Sequence, residues 1–187
     1  MPITQKQHKT RRERMQRDLR LYGDKILRSE EMRQAFHQKH HKLSTVGDHT
    51  IRVALASLGI CYALRALRVH TDIPAVVTGS LCHDLGILGR EEKYDSNREC
   101  LRQHPVDSVE TAHKLVGELP DKTEDIIARH MWPLAGSKPP NSLEAAIVSA
   151  ADKVASFEDY AAAIRRNASG KPRLRFRTRG SKEGVAK

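Results

Sequence analysis

Four side chains in this chain of 187 residues are of types that hold divalent cations: His49, the doublet His83-Asp84, and Asp152. A mixed imidazole and carboxylate set suits a borderline transition ion better than an all-oxygen cage does. The doublet lies in Leu81-Cys82-His83-Asp84-Leu85-Gly86, where an adjacent His and Asp at a helix end can be aimed at one point while Gly86 releases the chain. By itself such a dipeptide reads more readily as a surface or capping pair than as a ligand pair. Asp152 stands among Ala150, Ala151 and Val154. Burying an acid there is costly without a cation or hydrogen-bond partners, whereas a solvated position, or a pairing with Ser149 or Ser156, carries no such cost.

The elements that must position these groups read as helices. Thr50 to Val69 carries apolar residues at Ile51, Ala54, Leu58, Cys61, Leu64 and Leu67, close to helical spacing, with His49 at its head. Thr71 or Asp72 can cap a second helix, with Pro74 in its first turn and its end near Gly86. A polar loop over residues 90–100 follows, and Pro105 is expected to open a helix through Val116. Pro120 and Asp121, with Glu124 three residues on, resemble a capping box for a short helix from Thr123 to His130. Asn141 with Glu144 repeats that pattern before a long Ala-rich helix from Ser142 to about Arg165. With aromatic residues at 4% and little alternating pattern, the fold class is all-α.

The order His49, His83-Asp84, Asp152 on successive helices resembles the HD-domain superfamily of metal-dependent phosphohydrolases. The carrying segments are HTIRVALA, GSLCHDLGIL and SAADKVASFE. Gln103-His104-Pro105 and the stretch from Ile126 to Leu134 are similar to a subset of the superfamily carrying extra histidines between the doublet and the last Asp, and the HMWPL run resembles a branch of uncharacterised bacterial HD proteins. The resemblance covers roughly residues 43–164 and implies an HD-domain helical bundle. It implies that His49, His83, Asp84 and Asp152 hold one divalent ion (Mn, Fe, Co, Ni or Zn), with Asp84 bridging to a second held by His104 and His130. Two-metal relatives often have a paired His where this chain has His130-Met131, so one ion or two remains open. The implied activity is hydrolysis of a phosphomonoester, nucleotide or phosphodiester by a metal-activated water, with Asp84 at the reacting centre. Beside it stand two cations. Arg52, three residues after His49, is placed either to meet a phosphate or to pair at the surface. Lys153 points about 100° from Asp152 and must curl back to take part.

Other histidines read differently. His37, His40 and His41 have spacings that could bind adventitious metal, but a solvated helix end explains them better; His113 reads as surface. Charge divides the chain into a basic N-terminal arm (1–42, net +7), a mildly acidic centre, and a basic end (165–187, net +8). The expected organisation is therefore a helical arm over 1–42, a metal-binding domain over 43–168 and a disordered tail over 169–187. No apolar run approaches the roughly 20 residues of a membrane span, and no secretory signal is visible. Three cysteines without CxxC spacing point to reduced thiols and a cytoplasmic protein. Partners are expected to be a phosphorylated small molecule or a nucleotide. Two further readings stay open: a di-iron oxygenase on the same ligands, and a binder of nucleic acid or an acidic partner through the basic termini, with a structural metal.

Overall fold

In a computed structural model, the residues described are 5–40 and 44–168; the expected tail lies outside them. Eight α-helices are present among them: α1 (Gln5–Leu27), α2 (Glu30–His37), α3 (Val46–Ala66), α4 (Ile73–Cys82), α5 (Arg90–Lys93), α6 (Asn97–Val116), α7 (Asp121–Arg129) and α8 (Leu143–Ala168). A 3-10 turn, Leu85–Ile87, follows the His-Asp doublet. The described residues form no strand beyond one isolated bridge between Lys39 and Thr45. The all-α expectation holds, and no described helix is long and apolar enough to cross a membrane.

The bundle is organised around α4, whose sequence IPAVVTGSLC is apolar on every side, so the helix must be buried. Asp72 caps it by accepting from the Ala75 amide at 3.0 Å, and α1, α3, α7 and α8 pack around it. Gly79 lets α7 approach: a Cβ there would lie 2.5 Å from the Ile126 side chain. That contact sets the ends of α4 and α7 side by side, and those ends carry His83 and His130.

The N-terminal stretch read as an arm belongs to the same core. Leu19 and Ile26 of α1 and Met32 and Ala35 of α2 share one apolar cluster with Leu58, Leu81 and Leu85. Its basic side chains are accommodated because Arg12, Arg14, Arg17, Arg20 and Lys25 face solvent.

Three local expectations are corrected. Helix α6 begins at Asn97 and not at Pro105, because Ser96 caps it through the Glu99 amide at 3.1 Å, while Glu99 accepts from the Asp95 amide at 2.8 Å. Pro105 then sits inside the helix. The carbonyl its missing N–H would bond belongs to Leu101, on the exposed face. The start of α7 has no side-chain cap, and Glu124 instead stands 3.7 Å from His113. At the start of α8 the cap is Ser142, which accepts from the Ala145 amide at 3.1 Å. Glu144 instead accepts from the Asp72 amide and from Lys122, tying α8 to the neighbouring chain ends.

Candidate metal centre

Three histidines of the centre are oriented by backbone carbonyls one turn earlier in their own helices. His83 Nδ1 donates to the Ser80 carbonyl, His104 Nδ1 to the Cys100 carbonyl and His130 Nδ1 to the Ile127 carbonyl, each at 2.7 Å. A carbonyl only accepts, so all three Nδ1 atoms carry a proton, and in the neutral imidazole each Nε2 then presents its lone pair. This is how metal-ligating imidazoles are usually held. His83 and His130 are the residues at the ends of α4 and α7, both still in helical conformation. His49 is held in the first turn of α3, behind a capping box in which Thr45 accepts from the Asp48 amide and Asp48 accepts from the Thr45 amide.

These side chains converge in two groups that share Asp84. In the first, His49 Nε2 stands 2.9 Å from Asp152 Oδ1 and 3.8 Å from Asp84 Oδ2. His83 Nε2 lies 3.5 Å from Asp84 Oδ2 and 3.9 Å from Asp152 Oδ1. In the second, Asp84 Oδ1 lies 3.4 Å from His104 Nε2 and 3.5 Å from His130 Nε2, and the two nitrogens are 3.0 Å apart. All six residues are buried. Donors bound about 2.1 Å from one ion stand roughly 3.0 to 3.4 Å apart as neighbours and about 4.2 Å apart across it. Both groups have that spacing.

The donor chemistry fits a cation. His83 Nε2 is buried with no hydrogen-bond partner among the described residues. The lone pairs of His104 and His130 face each other, an arrangement that repels unless a proton or a cation lies between them. Two buried carboxylates meet four imidazoles, and one ammonium is at hand. Lys153 does curl back: its Nζ donates to Asp152 Oδ2 at 2.8 Å and to the His130 carbonyl at 2.7 Å. Asp152 thus turns one oxygen to Lys153 and the other to His49, which is how an acid is tolerated in an Ala-rich helix.

Burial opposes the charged form of every group, yet the outcomes differ. Burial, with the charge of Asp84 only partly offsetting it, pulls His83 down to about 4, so its imidazole is neutral near pH 7. For His49 burial is outweighed by the hydrogen bond to Asp152 and the charges of Asp84 and Asp152, and its pKa rises. For His104 the contact with Asp84 outweighs burial in the same sense. The surrounding imidazoles, His83 first, overcome burial and hold Asp84 well below the usual carboxylate range; the His49 hydrogen bond does the same for Asp152.

Arg52 is the predicted residue that the structure does not bring onto this cluster. Its guanidinium donates to Asp159 Oδ2 at 2.6 Å, and that oxygen also accepts from Ser44. Conversely, His40 is not at a solvated helix end. Its side chain is nine-tenths buried, with Nε2 3.4 Å from Asp84 Oδ2 and its ring centroid 4.6 Å from that of His49. A cavity of about 630 Å³ adjoins the centre here, lined by His40, Lys39, Arg90, Tyr94, Asn97 and Cys100 among others. The available signal was position: His40 comes just before the capping box that fixes His49. His37 and His113 are exposed, as read, and His41 lies outside the described residues.

The HD-domain family model matches residues 46–156. No curated protein and no solved structure matches the chain. The family match spans well over half of the sequence and contains His49, His83, Asp84, His104, His130 and Asp152, whose buried imidazoles and carboxylates could hold divalent ions. The chain belongs to the HD-domain family.

Proposed function

We propose that this protein is a metal-dependent phosphohydrolase, with His49, His83, Asp84 and Asp152 holding one divalent ion and Asp84, His104 and His130 a second. The observation that carries the reading is the division of Asp84: one carboxylate oxygen belongs to the first donor group and the other to the second. Bound ions in such a pair would supply Lewis acidity for a phosphoryl group and a water made nucleophilic near neutral pH. The chain's own residues prepare the rest. Three backbone carbonyls hold the imidazoles in the tautomer that offers Nε2, so the donors need no reorganisation when ligands arrive. Lys153 neutralises part of the carboxylate charge and keeps Asp152 turned toward His49.

The cavity beside His40 is where we place the substrate. Its cations, Lys39 and Arg90, stand among the carboxylates Glu91 and Asp95 and the polar groups Ser96 and Asn97, and its aromatic side chain, Tyr94, is committed to the Gly86 carbonyl and to Asp107. Such a lining suits a small hydrophilic ester whose phosphate meets Lys39 or Arg90 and whose hydroxyl or amino groups meet the carboxylates. The buried free thiols Cys61, Cys82 and Cys100 accord with a reducing, cytoplasmic setting.

The test is elemental analysis of the purified protein, followed by a phosphoester panel (sugar phosphates, nucleoside monophosphates, a phosphodiester) with each of Mn, Fe, Co, Ni and Zn. The reading expects hydrolysis that depends on the ion and is lost in folded His83→Ala and Asp84→Asn. Iron-dependent oxygen consumption without hydrolysis would replace it with the di-iron reading, and full activity in both variants would overturn it.

A further inference from the structure

We infer that His40, which lies outside the region matched by the family, is a ligand of the first metal position. The linker between α2 and α3 is built to deliver it. The Val46 amide donates to the Gln38 carbonyl and the His40 amide to the Ser44 carbonyl, both at 3.0 Å, a backbone clamp that ties Gln38 and His40 to the start of α3. The Gln38 side chain anchors this clamp to the turn that follows the doublet: its amide donates to the Ile87 carbonyl and its oxygen accepts from the Gly89 amide, both at 2.8 Å. Ser44 fixes the other arm by donating to Asp159 Oδ2 at 2.6 Å. Residues that serve only as a connection need no such anchoring on both sides.

The clamp places the imidazole at ligand spacing. His40 Nε2 lies 3.4 Å from Asp84 Oδ2, much as His83 Nε2 does at 3.5 Å, and His40, His49 and Asp84 offer donor atoms within 4.8 Å of one another. With His40 included, the first position draws on five side chains: His40, His49, His83, Asp84 and Asp152. The second draws on three: Asp84, His104 and His130. The two positions therefore differ in kind. The first would then be nearly saturated by protein and bind more tightly than the second, which draws on three protein donors. Of the side chains of the first position, His40 is the one that lines the cavity.

This inference rests on the metal-centre reading above, and the experiment separates the two. Apo protein is titrated with Co²⁺ by calorimetry while the visible absorption of the bound ion is recorded. Wild type is expected to bind in two steps of unequal affinity. In His40→Ala the tight step is expected to weaken by at least about tenfold, with an altered Co²⁺ spectrum, while the weak step stays where it was. Imidazole added to His40→Ala is expected to restore both, because the adjoining cavity admits it; a residue that merely positions its neighbours would not be replaced by a free ring. Circular dichroism and thermal melting establish that the variant is folded, and His40→Gln takes its place if it is not. An unchanged tight step and spectrum in a folded variant would overturn the role of His40 and leave the metal centre standing. Failure of wild type to bind Co²⁺ would overturn the metal centre itself, and this inference with it.

Discussion

Replacing Gly86 by alanine puts a methyl group where the backbone of α6 already runs. An added Cβ would lie 2.3 Å from the Ser108 amide nitrogen, 2.4 Å from the His104 carbonyl oxygen and 2.7 Å from the Asp107 carbonyl carbon, against an ordinary contact of 3.4 Å or more. None of these is the far end of a flexible side chain, so α6 as a whole must withdraw by about 1 Å, at a cost of about 1–3 kcal/mol for overpacking. The buried bond from the Gly86 amide to Ser108 Oγ, 2.8 Å long, is lost with it, adding about 1 kcal/mol. The total of about 2–4 kcal/mol should lower the melting temperature by roughly 4–16 °C in a protein of this size. The displacement also has a chemical signature. His104 rides on α6, and a shift of about 1 Å cannot be absorbed by metal–nitrogen bonds of about 2.1 Å. The donor group of His49, His83 and Asp152 uses no residue of α6. Gly86→Ala should therefore lose the second ion and keep the first, read as a fall in bound Mn²⁺ from two per chain to one alongside the lowered melt. Two ions retained with an unshifted melt would refute the packing argument; loss of both would refute the independence of the two groups.

Lys153→Met removes a charged donor from Asp152 and from the His130 carbonyl and should cost about 1.5–3 kcal/mol in urea unfolding of the apo protein; an unchanged midpoint would show that Lys153 is no tie between α7 and α8. Metal affinity should depend on pH through His49 and His104. Their pKa values are raised, so protons compete with the ion as pH falls through those values, and affinity should rise from pH 6 to 8 with release of protons. Calorimetric titration with Mn²⁺ in two buffers of different ionisation heat measures the number released, and affinity independent of pH would contradict the assignment.

Much of the site was legible because its residues sit on helices whose periodicity and caps are written locally. The Asp72 cap with Pro74 and the apolar α4 place His83 without any tertiary information, and the apolar spacing of α3 puts His49 near its head, although the Thr45–Asp48 box starts that helix at Val46 and not at Thr50. What sequence reasoning missed are features decided by packing. Residues 1–42 look like an arm by charge, yet Met15, Leu19, Gly23 and Ile26 form a stripe on one face of α1 that closes the core while the arginines face solvent. The start of α6 was hidden by Pro105, although Ser96 and Glu99 carry the capping signal. His40 had no periodic context, being in a linker, and only the anchoring of Gln38 and Ser44 on distant elements shows where its ring must go. Arg52 shows the converse: spacing places it one turn beyond His49, but Asp159, two turns after Asp152 on α8, takes its guanidinium.

The central claim is that buried imidazoles and carboxylates from α3, α4, α6, α7 and α8 converge to hold divalent ions. Anomalous diffraction at the manganese edge from crystals grown with Mn²⁺ tests it most directly. The account predicts a peak about 2.0–2.3 Å from the Nε2 atoms of His49 and His83 and from Asp152, and a weaker one bounded by Asp84, His104 and His130. Crystals in which Mn²⁺ appears elsewhere, with the two clusters still closed on their own protons, would contradict it.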